Sequence, residues 1–308
     1  MCLKPRFLGD AVMAMPLVDQ VVQRADSVIL WLSKSNQSIF EGRSPRIELQ
    51  PLGKCHAVRE TLAVAQSLRK QRIDVAFLVN RSARSAIVCL LARIPIRIGH
   101  NTEGRGLLLT ERVRYDRTKY EADCYLDLLR AVDASAVLTP CRIPLSDAER
   151  GLGKELIQEA TLGIQPGASY AGKQYPVEHW VAVGKALQTA GERIAVIGGP
   201  DEQALADQCA AMIGGDVVNL AGKTSVRESV AALGVLRGFL SADTGVAHLA
   251  AAAGCPRVTL FGPQPATKWA HPDTHAIQAE AGEVSRIDPA QVIEAAKQML
   301  SRRFADKT

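Results

Sequence analysis

Residues 241–263, SADTGVAHLAAAAGCPRVTLFGP, decide the fold. The apolar pair Phe239-Leu240 runs into Asp243-Thr244-Gly245, an alanine-rich segment follows, and Gly254-Cys255-Pro256 leads into a second apolar run from Val258 to Phe261. Gly and Pro punctuate a chain where its elements end, so the stretch reads strand, tight turn, helix, strand. The first N–H groups of a helix have no acceptor inside it and lie at the positive end of its dipole, which favours an anion. Each residue also has an ordinary reading: Asp243 as an N-cap, Gly245 as a turn former, His248 as a helix histidine packed on a loop. In this order, a small, open helix start with a polar ring one turn in favours a nucleotide diphosphate as guest.

On both sides of this stretch apolar runs alternate with amphipathic segments, the pattern of parallel sheets covered by helices. In the first half, strands are expected near Leu3 and over 28–32, 47–49, 75–79 and 96–98, with helices over 12–24, 58–72, 82–92 and 120–132. AVLTPCRIP, 136–144, has two prolines and little periodicity, and reads as a linker. In the second half Ser146 and Glu149 form a capping box that opens a helix. A strand over 162–165, the loop PGASYAGKQYP, a helix over 177–189, a strand over 193–197, a helix over 201–213, a strand over 217–220 and a last helix over 289–302 complete the pattern. Two successive open α/β domains imply a cleft between them, with ligands at the carboxyl ends of the strands.

A chain of 308 residues that is 47% apolar and 22% charged is expected to be a globular protein of two domains. Its apolar runs are too short to cross a bilayer, and MCLKPRFLGD lacks a signal-peptide core, so the protein is expected to stay in the cytoplasm. The seven cysteines are scattered without a C-x-x-C pair, as expected of reduced, buried thiols rather than a zinc site or a disulfide framework. Residues 1–140 hold 21 Lys and Arg against 14 Asp and Glu, a balance of +7, and the remainder is at −2. A basic first half is either a solvated surface or suits an anionic partner: a phosphorylated saccharide, an anionic membrane face or, less well, nucleic acid. Dispersed arginines and 5% aromatics argue against nucleic acid.

Three glycine-bearing loops follow strands: Leu8-Gly9-Asp10, Pro166-Gly167-Ala168-Ser169 and Asp243-Thr244-Gly245. There is no G-x-G-x-x-G, which lowers a dinucleotide oxidoreductase. Gly222-Lys223-Thr224 imitates the end of a Walker A loop, but Val217 stands where its first glycine belongs. Neither H-E-x-x-H nor D-x-D occurs, so no divalent metal is required, and Lys173 is the point charge suited to a diphosphate leaving group, unless it is a plain solvent lysine. Asp10, in an apolar setting, is either a helix cap or a general base that takes a proton from an acceptor hydroxyl. Arg6, Arg81, Arg84 and Arg105 are expected to line the same rim and grip phosphate on an acceptor.

KPRFLGDAVMAMPLV (4–18), RIGHNTEGRGLLL (97–109), QPGASYAGKQYPVEHW (165–180), IGGPDEQ (197–203), LAGKTSVRE (220–228) and SADTGVAHLAAAAGCPRVTLFGPQPATKW (241–269) span nearly the whole chain. Together they resemble glycosyltransferase family nine, the heptosyltransferases of lipopolysaccharide core assembly. The resemblance implies an α/β protein of GT-B fold, two Rossmann-like α/β/α domains with an interdomain cleft, residues 1–145 binding the acceptor and 146–308 the nucleotide sugar. It implies inverting, metal-independent transfer of heptose from ADP-heptose to an inner-core or lipid A-Kdo acceptor. The ADP-sugar is then a co-substrate and no cofactor is needed. It also implies work in the cytoplasm, with peripheral contact at the inner membrane. Asp10 matches the proposed base, Ser169 and Lys173 the diphosphate contacts, and Asp243, Thr244, Gly245 and His248 the nucleotide-diphosphate loop. In physical terms Lys173 and the amides of Thr244 and Gly245 would stabilise the departing ADP, and Asp243 would orient the turn.

Two departures stand out. The first strand is cut to about MCLK, and Gln174-Tyr175 replace the basic residue and Trp that are common after the lysine, so Tyr175 is expected to reshape the donor pocket. The alternatives are a glycosyltransferase for another nucleotide sugar, a nucleotide-sugar epimerase of the same architecture, and a non-catalytic nucleotide-sugar binder.

Overall fold

The computed structural model describes residues 7–51 and 58–305. It divides into two units, Met1–Pro140 and Cys141–Thr308, with the boundary inside the proline-bearing segment 136–144. Arg6 and the strand expected near Leu3 lie outside the described residues.

The first unit runs α1 Leu8–Met13, α2 Met15–Arg24, β1 Val28–Leu32, α3 Lys34–Gln37, β2 Ile47–Pro51, α4 Val58–Lys70, β3 Val75–Leu78, α5 Ala83–Leu91, β4 Ile96–His100, β5 Glu111–Val113 and α6 Glu121–Arg130. The helix expected over 12–24 is two helices. Pro16 near the start of α2 has no N–H for the carbonyl a turn earlier, so the chain restarts at Ala14. Every strand pair is parallel: β1 with β2, and β3–β4–β5 in a second sheet. Trp31, Leu68, Leu78, Val88 and Ile94 pack one core between these sheets and their helices.

The second unit runs α7 Asp147–Ile157, β6 Leu162–Gln165, α8 Val177–Thr189, β7 Ile194–Val196, α9 Gln203–Ile213, β8 Val218–Asn219, α10 Val226–Val235, β9 Gly238–Ala242, α11 Gly245–Ala253, β10 Arg257–Phe261, α12 Ala266–Trp269, β11 His275–Gln278 and α13 Pro289–Ala305. Ser146 caps α7 as expected: its Oγ accepts from the Glu149 N–H, and the Glu149 carboxylate takes the Ser146 N–H in return. The six strands form one parallel sheet in the order β11-β10-β9-β6-β7-β8. The chain therefore builds outward from β6 in one direction, returns to β9 on its other side, and builds outward again. Both faces are covered, so β6, β9 and β10 are buried along their whole length. Trp180 of α8 is fully buried among Leu162, Ile164, Val183 and Leu187, and each aliphatic side chain buried this fully contributes roughly 1.5–3 kcal/mol. Gly153 of α7 lets that helix lie against α10, since a Cβ there would meet the Ala231 carbonyl oxygen at 2.3 Å.

Tyr175 belongs to this core. It is 1% exposed, donates its hydroxyl to the Ile287 carbonyl at 2.9 Å, and meets Trp180 edge to face. It does not reshape a ligand pocket, because burial and that hydrogen bond fix its ring inside the second unit. The five described cysteines, Cys89, Cys124, Cys141, Cys209 and Cys255, are buried thiols. Among the described residues no helix is long and apolar enough to cross a membrane.

Candidate functional site

The strand order places a switch point between β6 and β9, where the loops leaving the two carboxyl ends diverge to opposite sides of the sheet. In open α/β sheets this is where a ligand crevice forms. The loop after β6 carries Gly167, Ser169 and Lys173; the turn after β9 carries Asp243, Thr244 and Gly245. The structure joins them: Lys173 Nζ donates to Asp243 Oδ2 at 2.5 Å and to the Asp243 carbonyl at 3.1 Å. Asp243 is 4% exposed, so a carboxylate there needs a cation, and Lys173 supplies it. The lysine also lies 5.6 Å from the Tyr170 ring centroid. Ser169 is exposed beside it.

The N-cap of α11 is Thr244, not Asp243. The Thr244 Oγ1 accepts from the Ala247 N–H at 3.3 Å and donates to Gln165 Oε1 at 2.6 Å. With Asp243 turned to Lys173, the capping role falls to the next hydroxyl. The amides of Gly245 and Val246 then stand in the first turn, where a helix offers them no acceptor. Gln165 passes the contact on, its amide donating to both Glu202 oxygens at 3.1 and 3.0 Å, while Glu202 takes the Gly199 N–H at 2.8 Å. Gly167 makes room for that carboxylate: a Cβ there would sit 2.3 Å from Glu202 Oε1. Beside the Lys173 loop opens a cleft of about 710 Å³ lined by Gly262, Pro263, Pro265, Ala266, Thr267, Gln278, Ala281 and Gly282.

His248 stands one turn into α11, its Nε2 3.6 Å from Asp243 Oδ1 and its Nδ1 3.1 Å from Nε2 of His271. Both rings are buried. Burial disfavours the imidazolium and lowers the His248 pKa to about 4 against the pull of Asp243. For His271 burial, then His248 and Arg257, lower it to about 2.

In the first unit Asp10 lies at the third position of α1, where its Oδ2 takes the Phe7 N–H at 3.2 Å and its Oδ1 faces the Tyr125 hydroxyl at 3.4 Å. Both readings of Asp10 survive, because a carboxylate that closes a helix start can still meet a ligand. Arg81 is exposed and its guanidinium covers the Tyr115 ring at 4.5 Å; Arg84 is exposed at the start of α5. Arg105 does not line a rim. It is 1% exposed and its guanidinium donates to the carbonyls of His100 (2.8 Å), Asn80, Ser82 and Leu78. The ends of β3 and β4 leave carbonyls that only a five-donor fork can satisfy together. Among the described residues no three His, Cys, Asp or Glu side chains gather as metal ligands do.

The family model "Glycosyltransferase family 9 (heptosyltransferase)" matches residues 61–297. The chain belongs to glycosyltransferase family 9. It is 26% identical over 282 residues to lipopolysaccharide heptosyltransferase 2 of Salmonella typhimurium, covering 84% of this chain and 81% of that protein. It is 28% identical over 287 residues to lipooligosaccharide heptosyltransferase 2 of Haemophilus influenzae, covering 84% and 82%. Among solved structures, the ADP-heptose heptosyltransferase II of E. coli superposes with a TM-score of 0.83 at 22% identity, over 98% of each chain. An E. coli heptosyltransferase crystallised with ADP superposes at 0.77 and 17% identity, over 97% of this chain and all of that one. The fold is accordingly GT-B, and the protein is a glycosyltransferase.

Three residues that hydrogen-bond into the candidate site were not singled out from the sequence. Gln165 opened the segment QPGASYAGKQYPVEHW and Glu202 lay inside IGGPDEQ, neither with a role of its own, and His271 sits in no motif. The buried histidines set a pH dependence of stability. His100 is also lowered to about 4, chiefly by burial. Unfolded histidines bind protons from about pH 6.5 downward while the native ones stay neutral, so the unfolded state holds more protons and stability is lost as the pH is lowered. His100 and His248 each cost on the order of 3 kcal/mol by pH 4. The carboxylates Asp133 and Glu149, lowered to about 2, lose their contribution only below their unfolded values near 4. A thermal melt is therefore expected to drop by several degrees between pH 7 and pH 5, a window that belongs to histidine; a flat melting temperature across it would contradict the burial of these rings.

Proposed function

We propose that this family 9 glycosyltransferase transfers heptose from ADP-heptose to a lipopolysaccharide inner-core acceptor, with inversion and without a metal ion. The observation that carries the reading is the Lys173–Asp243 pair set at the open start of α11, on the switch point of the sheet. A fixed cation and unpaired first-turn amides are what a diphosphate needs. The names of the relatives, heptosyltransferase 2 of lipopolysaccharide and lipooligosaccharide, support heptose as the sugar. An E. coli neighbour solved with ADP supports the nucleotide.

In the proposed reaction the acceptor hydroxyl attacks the anomeric carbon as the bond from that carbon to the β-phosphate oxygen breaks. Asp10 takes the hydroxyl proton. ADP leaves with the bonding pair, its added charge met by Lys173 and by the amides of Thr244 and Gly245, with Ser169 a further diphosphate contact. A single displacement inverts the anomeric centre. Lys173 does the work that a divalent ion does in other sugar transfer, so EDTA is expected to leave turnover unchanged. Arg81 and Arg84 are proposed to grip phosphate on the acceptor.

A melting-temperature screen of nucleotide sugars tests the donor: ADP-heptose is expected to stabilise the protein above the UDP-, GDP- and CMP-sugars. A larger shift with one of those would move the reading to another donor, and an epimerised sugar formed without acceptor would move it to isomerisation.

Peripheral attachment at the cytoplasmic face of the inner membrane is part of the same proposal. It is supported by Ile87, Leu90 and Leu91, 39, 42 and 44% exposed on one stripe of α5 with Arg84 a turn earlier, and by Leu107, 86% exposed on the adjacent turn. Flotation with vesicles containing anionic phosphatidylglycerol is expected to carry the protein, and Leu90→Glu with Leu107→Glu to abolish it. Equal flotation of the double variant would remove this surface from the account.

A further inference from the structure

His271 is fixed by its turn. His271-Pro272-Asp273-Thr274 is closed by the Thr274 N–H on the His271 carbonyl at 2.9 Å, and Pro272 presets the second position. The Asp273 carboxylate is tied to Arg257 of β10 and to Arg142 at 3.4 Å. A side chain on so firm a turn, 6% exposed, meets the site through Nδ1 of His248, 3.1 Å away.

Burial favours the neutral form of both rings near pH 7, so a single proton lies between Nδ1 of His248 and Nε2 of His271. The far side of His248 decides which ring owns it. Nε2 of His248 faces the Asp243 carboxylate, which attracts an N–H and repels a lone pair. His248 therefore carries its proton on Nε2, and its Nδ1 accepts from His271 Nε2–H. Asp243 is then held with Oδ1 toward the imidazole and Oδ2 toward Lys173. A lysine has three N–H donors; Asp243 takes two with its carboxylate and carbonyl, and the third points away from that pair.

We infer that His271 is a positioning residue for the donor diphosphate: its Nε2–H reinforces the His248 tautomer that Asp243 favours and holds that ring in place, which steadies Asp243 and through it the ammonium of Lys173. The inference rests on the reading of Lys173 as a diphosphate contact. It makes His271 the outer member of a chain, as the partner of a ligand histidine fixes that ring's orientation and sharpens its function.

The test separates the chain from the reading beneath it. In ¹⁵N-labelled full-length protein, two-bond ¹H–¹⁵N spectra are expected to show His248 protonated on Nε2. His271→Gln, whose amide N–H replaces the imidazole donor, is expected to keep that tautomer and to bind ADP within about threefold of the wild type. His271→Phe, of similar size but without a donor, is expected to give mixed tautomers and about tenfold weaker ADP binding, the scale seen for such outer partners. Wild-type His248 protonated on Nδ1 would overturn the inference whether or not either variant folds. So would equal ADP affinity in the Gln and Phe variants while Lys173→Ala weakens ADP. If Lys173→Ala leaves ADP affinity untouched, the donor reading fails, and the diphosphate role of His271 fails with it.

Discussion

Asp10→Asn is expected to lower kcat by about a thousandfold, within the range that general-base catalysis contributes, while ADP affinity stays within about twofold. The substitution is nearly isosteric. The carboxamide oxygen can still accept the Phe7 N–H that Asp10 takes at 3.2 Å, and its other end can still meet the Tyr125 hydroxyl. The start of α1 is thus preserved and the proton acceptor alone is lost. If Asp10 only closed the start of the helix, the variant would turn over normally, because the carboxamide oxygen takes the Phe7 N–H as the carboxylate does. Turnover within about tenfold of the wild type would strip Asp10 of the catalytic role.

Lys173→Ala is the complementary change and acts on the donor. It removes the ammonium and leaves the Asp243 carboxylate, 4% exposed, facing any diphosphate with nothing to offset it. Loss of attraction and gain of repulsion act in the same direction, and truncating one member of a buried charge pair typically costs 2–5 kcal/mol. ADP affinity is expected to fall by about a hundredfold, which corresponds to about 2.7 kcal/mol, and kcat with it, since the departing ADP loses its counter-charge. The melting temperature will also fall, because the carboxylate is stranded in the apo protein as well. Lys173→Arg keeps the charge and is expected to recover part of the affinity. ADP binding unchanged in Lys173→Ala would show that the diphosphate sits elsewhere.

The strongest elements of the fold were legible because burial and periodicity agree in them. The strand over 28–32, the strand over 162–165 and the helix over 177–189 stand at the bounds expected from sequence. Two strands were missed for physical reasons. Glu111–Val113 is three residues with two exposed, and His275–Gln278 lies at the sheet edge with alternate residues open, so neither carries an apolar run. The helix Val226–Val235 was missed although its signal was in plain view: Ser225 and Glu228 form the same capping box as Ser146 and Glu149.

For the candidate site, the sequence could single out Lys173 and Asp243, since the glycine-bearing loops follow apolar strands. It could not show that the two pair with each other seventy residues apart, which is a consequence of β6 and β9 becoming neighbours. The error over Arg105 has the same origin. An arginine in a glycine-rich loop reads as a ligand contact, and only the fold reveals that the carbonyls at the ends of β3 and β4 consume its donors. His271 was silent because its place depends on a β-turn and on the ring of His248.

Acceptor-dependent release of ADP from ADP-heptose tests the central claim most directly. With purified protein and a heptose-deficient core acceptor, ADP and the glycosylated acceptor are expected to form one for one, with release collapsing in Asp10→Asn and in the absence of acceptor. No ADP release with several such acceptors, from protein that demonstrably binds ADP-heptose, would contradict the account.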